Sequence, residues 1–319
     1  MRYRDQMRLL LAATLAAALC VAGGVEARQS TVDVMSLMTT PALLINGTRQ
    51  VSQGTGFLYA TTQPNGKDVD TLFLVTNYHV VTGNEPLSNA RAQGDRLQFY
   101  FHASREDPSN YFPVAVPLYT KTGDPIWIQS RQFPEADVVL VPIVPALYEK
   151  GGQLSAFSEA HMQVDMKMRP TSQATLLGYP YGFFDTRNFL PVWKTGHLAT
   201  EPDVDFQGQP VFLVDVSAFP GMSGAPVVGV SNGVYESENG SMMSGVQRRL
   251  LGIFSAMRMV KTRASVDANG QQIDTGTPAP GDSLQLGYVW KAQLIADIAR
   301  SFNRADWEER IWKNRTLRH

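Results

Sequence analysis

A serine stands between two glycines at Gly221-Met222-Ser223-Gly224, straight after Phe219-Pro220 and straight before the apolar run Ala225-Pro226-Val227-Val228. This pattern suits a hydroxyl that projects from a tight turn, since glycine takes the backbone angles such a turn requires. The chemistry it fits is acyl transfer. The amides of Gly221 and Ser223 would converge on one spot, where a carbonyl oxygen becomes negative. A serine hydroxyl is a poor nucleophile at neutral pH and needs a base within hydrogen-bond reach. His79, in Thr76-Asn77-Tyr78-His79-Val80, is the candidate base, because an imidazole of ordinary pKa about 6.5 takes and returns a proton near neutrality. The third requirement is an acid that orients the ring. Asp137 leads the apolar run Val138 to Ile143, where an unpaired carboxylate would be costly. Asp124 competes for that role, but its Thr-Gly-Asp-Pro setting reads as a turn. Asp215 reads as a loop or solvent-face residue, and His102, His161, His197 and the terminal His319 lack the setting of His79.

Other chemistries find little support. There is no His-Glu-x-x-His and no phosphate-binding glycine loop, so neither a metal nor a cofactor is expected. The Gly-x-Ser-x-Gly elbow of another hydrolase class is narrowly missed, because Ala225 occupies the last glycine position. With a net charge of −1 and no long block of like charge, a nucleic-acid partner is not expected. The basic residues near the end (Arg304, Arg310, Lys313, Arg315, Arg318) alternate with Asp306, Glu308 and Glu309, as on a solvated helix face.

The elements that must position these residues are mostly short strands separated by Gly, Pro and Asn turns, the pattern of an all-β barrel or sandwich. Strands are predicted at 54–60, 72–81, 96–102, 111–119, 125–129 and 137–143. A second set is predicted at 174–179, 192–200, 210–216, 225–230 and 250–257. The stretch 32–44 is too irregular to assign, and the chain turns loop-like between Pro145 and Pro170, with a crossing near Glu149 to Gly152. Ser231 to Arg248 and Arg263 to Asp282 read as mobile surface insertions. One helix is predicted from Trp290 to about Lys313, with Leu294, Ile295, Ile298 and Phe302 on one stripe.

The N-terminus reads as an export signal. Arg2, Arg4 and Arg8 precede the apolar run Leu9 to Gly23, and Val25-Glu26-Ala27 offers a cleavage site after Ala27. The run is short for a membrane span, so no stable membrane insertion is expected after cleavage; an uncleaved anchor is the alternative. Cys20 is the one cysteine, so the mature chain would hold no disulfide, cysteine nucleophile or thiolate metal site. A periplasmic or secreted bacterial protein fits this usage best.

Gly54-Thr55-Gly56-Phe57, Thr76-Asn77-Tyr78-His79-Val80, Ala136-Asp137-Val138-Val139 and Gly221-Met222-Ser223-Gly224 occur in that order. Together they resemble the trypsin-like (chymotrypsin-fold) serine proteases, nearest to bacterial trypsin-like peptidases and the HtrA-type protease domain. The resemblance implies two six-stranded antiparallel β-barrels, an N-terminal one at about 45–150 and a C-terminal one at about 165–290, then the terminal helix. It implies a serine endopeptidase acting on proteins or peptides, with Ser223 as nucleophile, His79 as general base, Asp137 orienting it, and Gly221 and Ser223 as oxyanion hole. It further implies that Ser217 lies at the base of the primary pocket, that Met257 narrows it, and that Ser255 bonds Asp137. A core methionine is the alternative for Met257. Small apolar side chains, and not Lys or Arg, are expected in such a pocket. The sequence departs from the HtrA pattern at Met222 and Ala225, and no peptide-binding regulatory domain is expected after the terminal helix. Two further readings stay open: a protease-like binding module without turnover, and an esterase using the same triad.

Overall fold

The computed structural model describes residues 32–312 apart from 63–68, 89, 144–153, 260–262, 267–268, 270–271 and 277–282. The expected export signal and the crossing near Glu149 to Gly152 lie outside the described residues. From Val32 onward the chain is one compact unit.

Its first half is a seven-stranded antiparallel sheet, one strand more than expected. The strands are β1 (Thr39–Asn46), β2 (Arg49–Thr62), β3 (Val69–Thr76), β4 (Arg96–His102), β5 (Tyr111–Pro117), β6 (Ile128–Gln129) and β7 (Val139–Ile143), in the spatial order β5-β4-β1-β2-β3-β7-β6. The second half is a closed six-stranded barrel built from β8 (Gln173–Gly178), β9 (Val192–Leu198), β10 (Val211–Asp215), β11 (Pro226–Glu236), β12 (Met242–Met259) and β15 (Ser283–Lys291), ordered β10-β15-β12-β11-β8-β9. The two-barrel, all-β class inferred from the sequence therefore stands.

The pattern of each strand follows from which cores it serves. In β4 the inward residues Leu97, Phe99 and Phe101 alternate with half-buried Gln98 and Tyr100, as a sheet with one covered face requires. In β3 and β7 the apolar run is continuous because both faces are covered. Leu72, Leu74, Val139 and Val141 fill the core inside the first sheet. Phe73, Val75, Val138 and Leu140 face outward into a second core shared with Val211, Val228, Ile253 and Trp290 of the barrel. Fully burying a side chain of this size stabilises by roughly 1.5–3 kcal/mol, so the shared core couples the halves strongly.

Several elements differ from the sequence reading. The unassigned stretch after Val32 holds a short helix α1 (Val34–Met38), whose first amides are capped by Asp33, and then β1. The run 72–81 is not strand to its end: β3 stops at Thr76, and Tyr78–Thr82 is a single helical turn, α2. Ser231 to Arg248 forms the far end of a long paired hairpin, β11 with β12. Val234, Met242 and Val246 are exposed there, so no burial periodicity marked it as strand. Within Arg263 to Asp282, β13 (Arg263–Val266) pairs with β14 (Gln272–Gly276). The single terminal helix is two, α3 (Ala292–Arg300) and α4 (Arg304–Trp312), because Trp290 and Lys291 belong to β15 and the helix breaks at 301–303. Phe302 turns inward at the break to pack edge-on against Phe73, and Trp307 Nε1 donates to the Ile126 carbonyl (3.2 Å).

Candidate active site

β3 and β7 run antiparallel with Thr76 opposite Val139, so the residues just beyond β3 meet those just before β7. The Asn77 side-chain amide donates to the Asp137 carbonyl (2.6 Å). α2 then turns His79 toward Asp137, and Gly83 ends the turn with a left-handed φ of 73°, its N–H on the His79 carbonyl (2.8 Å). The buried Asp137 carboxylate takes three donors. Oδ1 accepts the His79 backbone N–H (3.0 Å), and Oδ2 accepts His79 Nδ1 (2.7 Å) and Ser255 Oγ (2.6 Å). Since the carboxylate only accepts, the neutral imidazole carries its proton on Nδ1 and leaves Nε2 as the basic nitrogen. Burial disfavours the charged ring. The hydrogen bond and charge of Asp137, with the charge of Glu85, outweigh it and hold His79 above its ordinary pKa.

The serine approaches from the barrel side, on the loop between β10 and β11. Gly221 (φ 95°) and Gly224 (φ 88°) take conformations that disfavour side chains. A Cβ at Gly221 would lie 2.4 Å from the Tyr179 carbonyl oxygen, and one at Gly224 1.9 Å from that of Thr55. Thr55, on β2, holds the loop across the two halves. Its N–H donates to the Ser223 carbonyl (2.7 Å) and its hydroxyl to the Gly221 carbonyl (2.8 Å), while that hydroxyl accepts the Tyr179 N–H (3.2 Å). Met222 is wholly buried in the barrel core, so one of the two residues that depart from the HtrA pattern anchors the turn. Among the described residues, no acceptor takes the N–H of Gly221 or of Ser223.

His79, Asp137, Ser223 and Ser255 line one cavity of about 490 Å³. Ser223 Oγ makes no hydrogen bond to His79 among the described residues, so the expected three-membered chain is present only at its His–Asp link. Ser217 is exposed and Met257 is half-buried against the barrel core; neither lines this cavity. Asp124 is engaged in its own turn with Thr120 and Thr122. His102 is buried against the Asn188 carbonyl (2.7 Å), and His161 caps the short helix Glu159–Met162. Among the described residues, no group of three or more metal-ligating side chains occurs, and no helix is long and apolar enough to cross a membrane. The sequence reading missed the latch role of Thr55, although Gly54-Thr55-Gly56 marked the segment. It also missed Glu85, Glu135, Phe206, Tyr288 and Trp290, which line the cavity from four separate stretches and leave no local signal.

The family described as "Trypsin-like peptidase domain" matches residues 54–234, over half of the chain. No curated protein sequence matches. Among solved structures, the inactive form of the Rv3671c protease is similar at 16% identity and a TM-score of 0.39, covering 83% of this chain and 89% of that one. The serine endoprotease from Yersinia pestis is similar at 11% identity and a TM-score of 0.39, covering 87% of this chain and 66% of that one.

Proposed function

Because the chain belongs to the trypsin-like peptidase domain family, we propose that it is a serine endopeptidase acting on proteins or peptides through Ser223, His79 and Asp137. The observation that carries this reading is the shared cavity: an oriented, basic imidazole and a glycine-flanked serine open onto it. In this reading Ser223 Oγ rotates about its χ1 bond to meet His79 Nε2. His79 takes the hydroxyl proton as Oγ bonds the substrate carbonyl carbon, and Asp137 stabilises the imidazolium that forms. The developing oxyanion is received by the N–H groups of Gly221 and Ser223, one such donor being worth about 10²–10³ in rate. His79 then hands its proton to the leaving amine, and water, deprotonated by the same imidazole, releases the acyl group.

Labelling of the purified protein by a fluorophosphonate probe, set beside its Ser223→Ala variant, tests the reading. Covalent labelling of the wild type alone is expected, together with cleavage of an unstructured protein substrate. Equal absence of label in both would mean a binding module without turnover. Label with cleavage of small esters but no peptide would mean an esterase.

A further inference from the structure

The cavity beside Ser223 is one-sided in its chemistry. Phe206, Tyr288 and Trp290 supply aromatic walls, and Glu85 and Glu135 supply carboxylates in addition to Asp137. Among the described residues, no lysine or arginine lines it. Several acidic side chains elsewhere are matched by cations, as in Lys291–Asp205, Arg304–Glu308 and the pairs of Lys167 and Arg169 with Glu236. Among the described residues, Glu85 and Glu135 have no cationic partner; Glu135 only accepts a hydrogen bond from Gln209 (3.2 Å). Glu85 lies close enough for its charge to act on His79. Ser217 and Met257, expected to shape the pocket for the residue that supplies the scissile carbonyl, stay outside this space. The cavity is therefore open to a different residue of the same substrate.

Building on the endopeptidase reading, we infer that this cavity selects a substrate residue with a cationic side chain, lysine or arginine, at a position other than the one supplying the scissile carbonyl. Its size, about 490 Å³, accommodates either side chain. The aromatic walls cover the alkyl stem and face the cation, and the two carboxylates take the charge. A neutral side chain of equal length fills the same walls without that second term. An acidic one meets two like charges.

The test separates binding from turnover by using the Ser223→Ala variant, which holds substrate without cleaving it. Fluorescein-labelled hexapeptides carrying lysine, norleucine or glutamate at each position in turn are titrated and followed by anisotropy. At one position lysine is expected to bind about tenfold more tightly than norleucine, as a charge-assisted contact does. Adding Glu85→Gln and Glu135→Gln should bring that ratio below about twofold. Glu85→Gln alone, at an exposed site, should still lower it measurably, which keeps the test valid if the double change unfolds the protein. Fluorophosphonate labelling of the wild type is measured in parallel. Label without lysine discrimination at any position, or discrimination that survives both substitutions, overturns the inference and leaves the endopeptidase reading standing. Discrimination without label upholds the cavity's preference and overturns the endopeptidase reading.

Discussion

His79 and Ser223 face one cavity from two differently built walls. His79 is held by a side chain that grips both its ring and its backbone N–H, the buried Asp137 carboxylate, which receives three donors. Ser223 is held through its backbone: Thr55 grips the carbonyls of Gly221 and Ser223, Phe254 grips the Gly224 N–H (2.8 Å), and Met222 is sunk in the core. Among the described residues, its hydroxyl has no such restraint. The difference matches the work proposed for each. A base must keep one tautomer and one orientation through both proton transfers, whereas a nucleophile must rotate between the imidazole and the carbonyl carbon while its amide stays still.

The largest effect should come from removing the charge that holds the base. Asp137→Asn is expected to lower kcat by about 10⁴-fold, measured on a peptide substrate. His79 sits above its ordinary pKa because of Asp137, so the acid limb of kcat/KM in the wild type should fall above about pH 6.5 and move down in the variant. The same raised pKa makes the ion pair of His79 with Asp137 stabilise the fold fully below about pH 6.5, a contribution lost as pH rises through the folded value. An unchanged acid limb in Asp137→Asn would show that another group titrates.

A smaller loss is expected on the nucleophile side, where several anchors share the load. Thr55→Val removes one donor to Gly221 and leaves the buried Tyr179 N–H without its acceptor. It should cost about 1–3 kcal/mol in thermal unfolding and about 10–100-fold in kcat as the turn shifts, with little change in the acid limb. Thr55→Ser keeps the hydroxyl and should restore most of the rate. If Thr55→Val matched the wild type in kcat, the backbone latch would not set the position of Ser223.

The smallest effect should come from Ser255→Ala. It deletes one of three donors to the Asp137 carboxylate and leaves the other two on His79, so kcat should fall about three- to tenfold with KM nearly unchanged. A loss as large as that of Asp137→Asn would mean that Ser255, and not the His79 contacts, orients the acid.

The candidate site residues were legible where the signal depends on neighbours along the chain. A serine between glycines, a histidine after an apolar run and an aspartate before one are local patterns, and alternation in Arg96 to His102 reported one covered face directly. Where two faces are covered, or neither, periodicity falls silent: β3 and β7 read correctly by their apolar content, but the exposed hairpin of β11 and β12 read as an insertion. α2 was hidden for a related reason. Tyr78, Val80 and Val81 are buried and β-branched in part, so they looked like more strand, while the chain turns there because Asn77 bonds across to Asp137.

The order of His79, Asp137 and Ser223 and the β class were thus determined by residue types and spacing alone, and the same residues carry the chemistry proposed. What the tertiary structure decided was contact between distant positions: Thr76 opposite Val139, Thr55 against Gly221, and five residues from four stretches around one cavity. It also decided the break at 301–303, where Phe302 leaves the helix stripe to reach Phe73. The physical reason is that burial periodicity is a one-dimensional signal of how many faces of a strand or helix are covered. Which surface does the covering is set by strand register and by the packing of one half on the other.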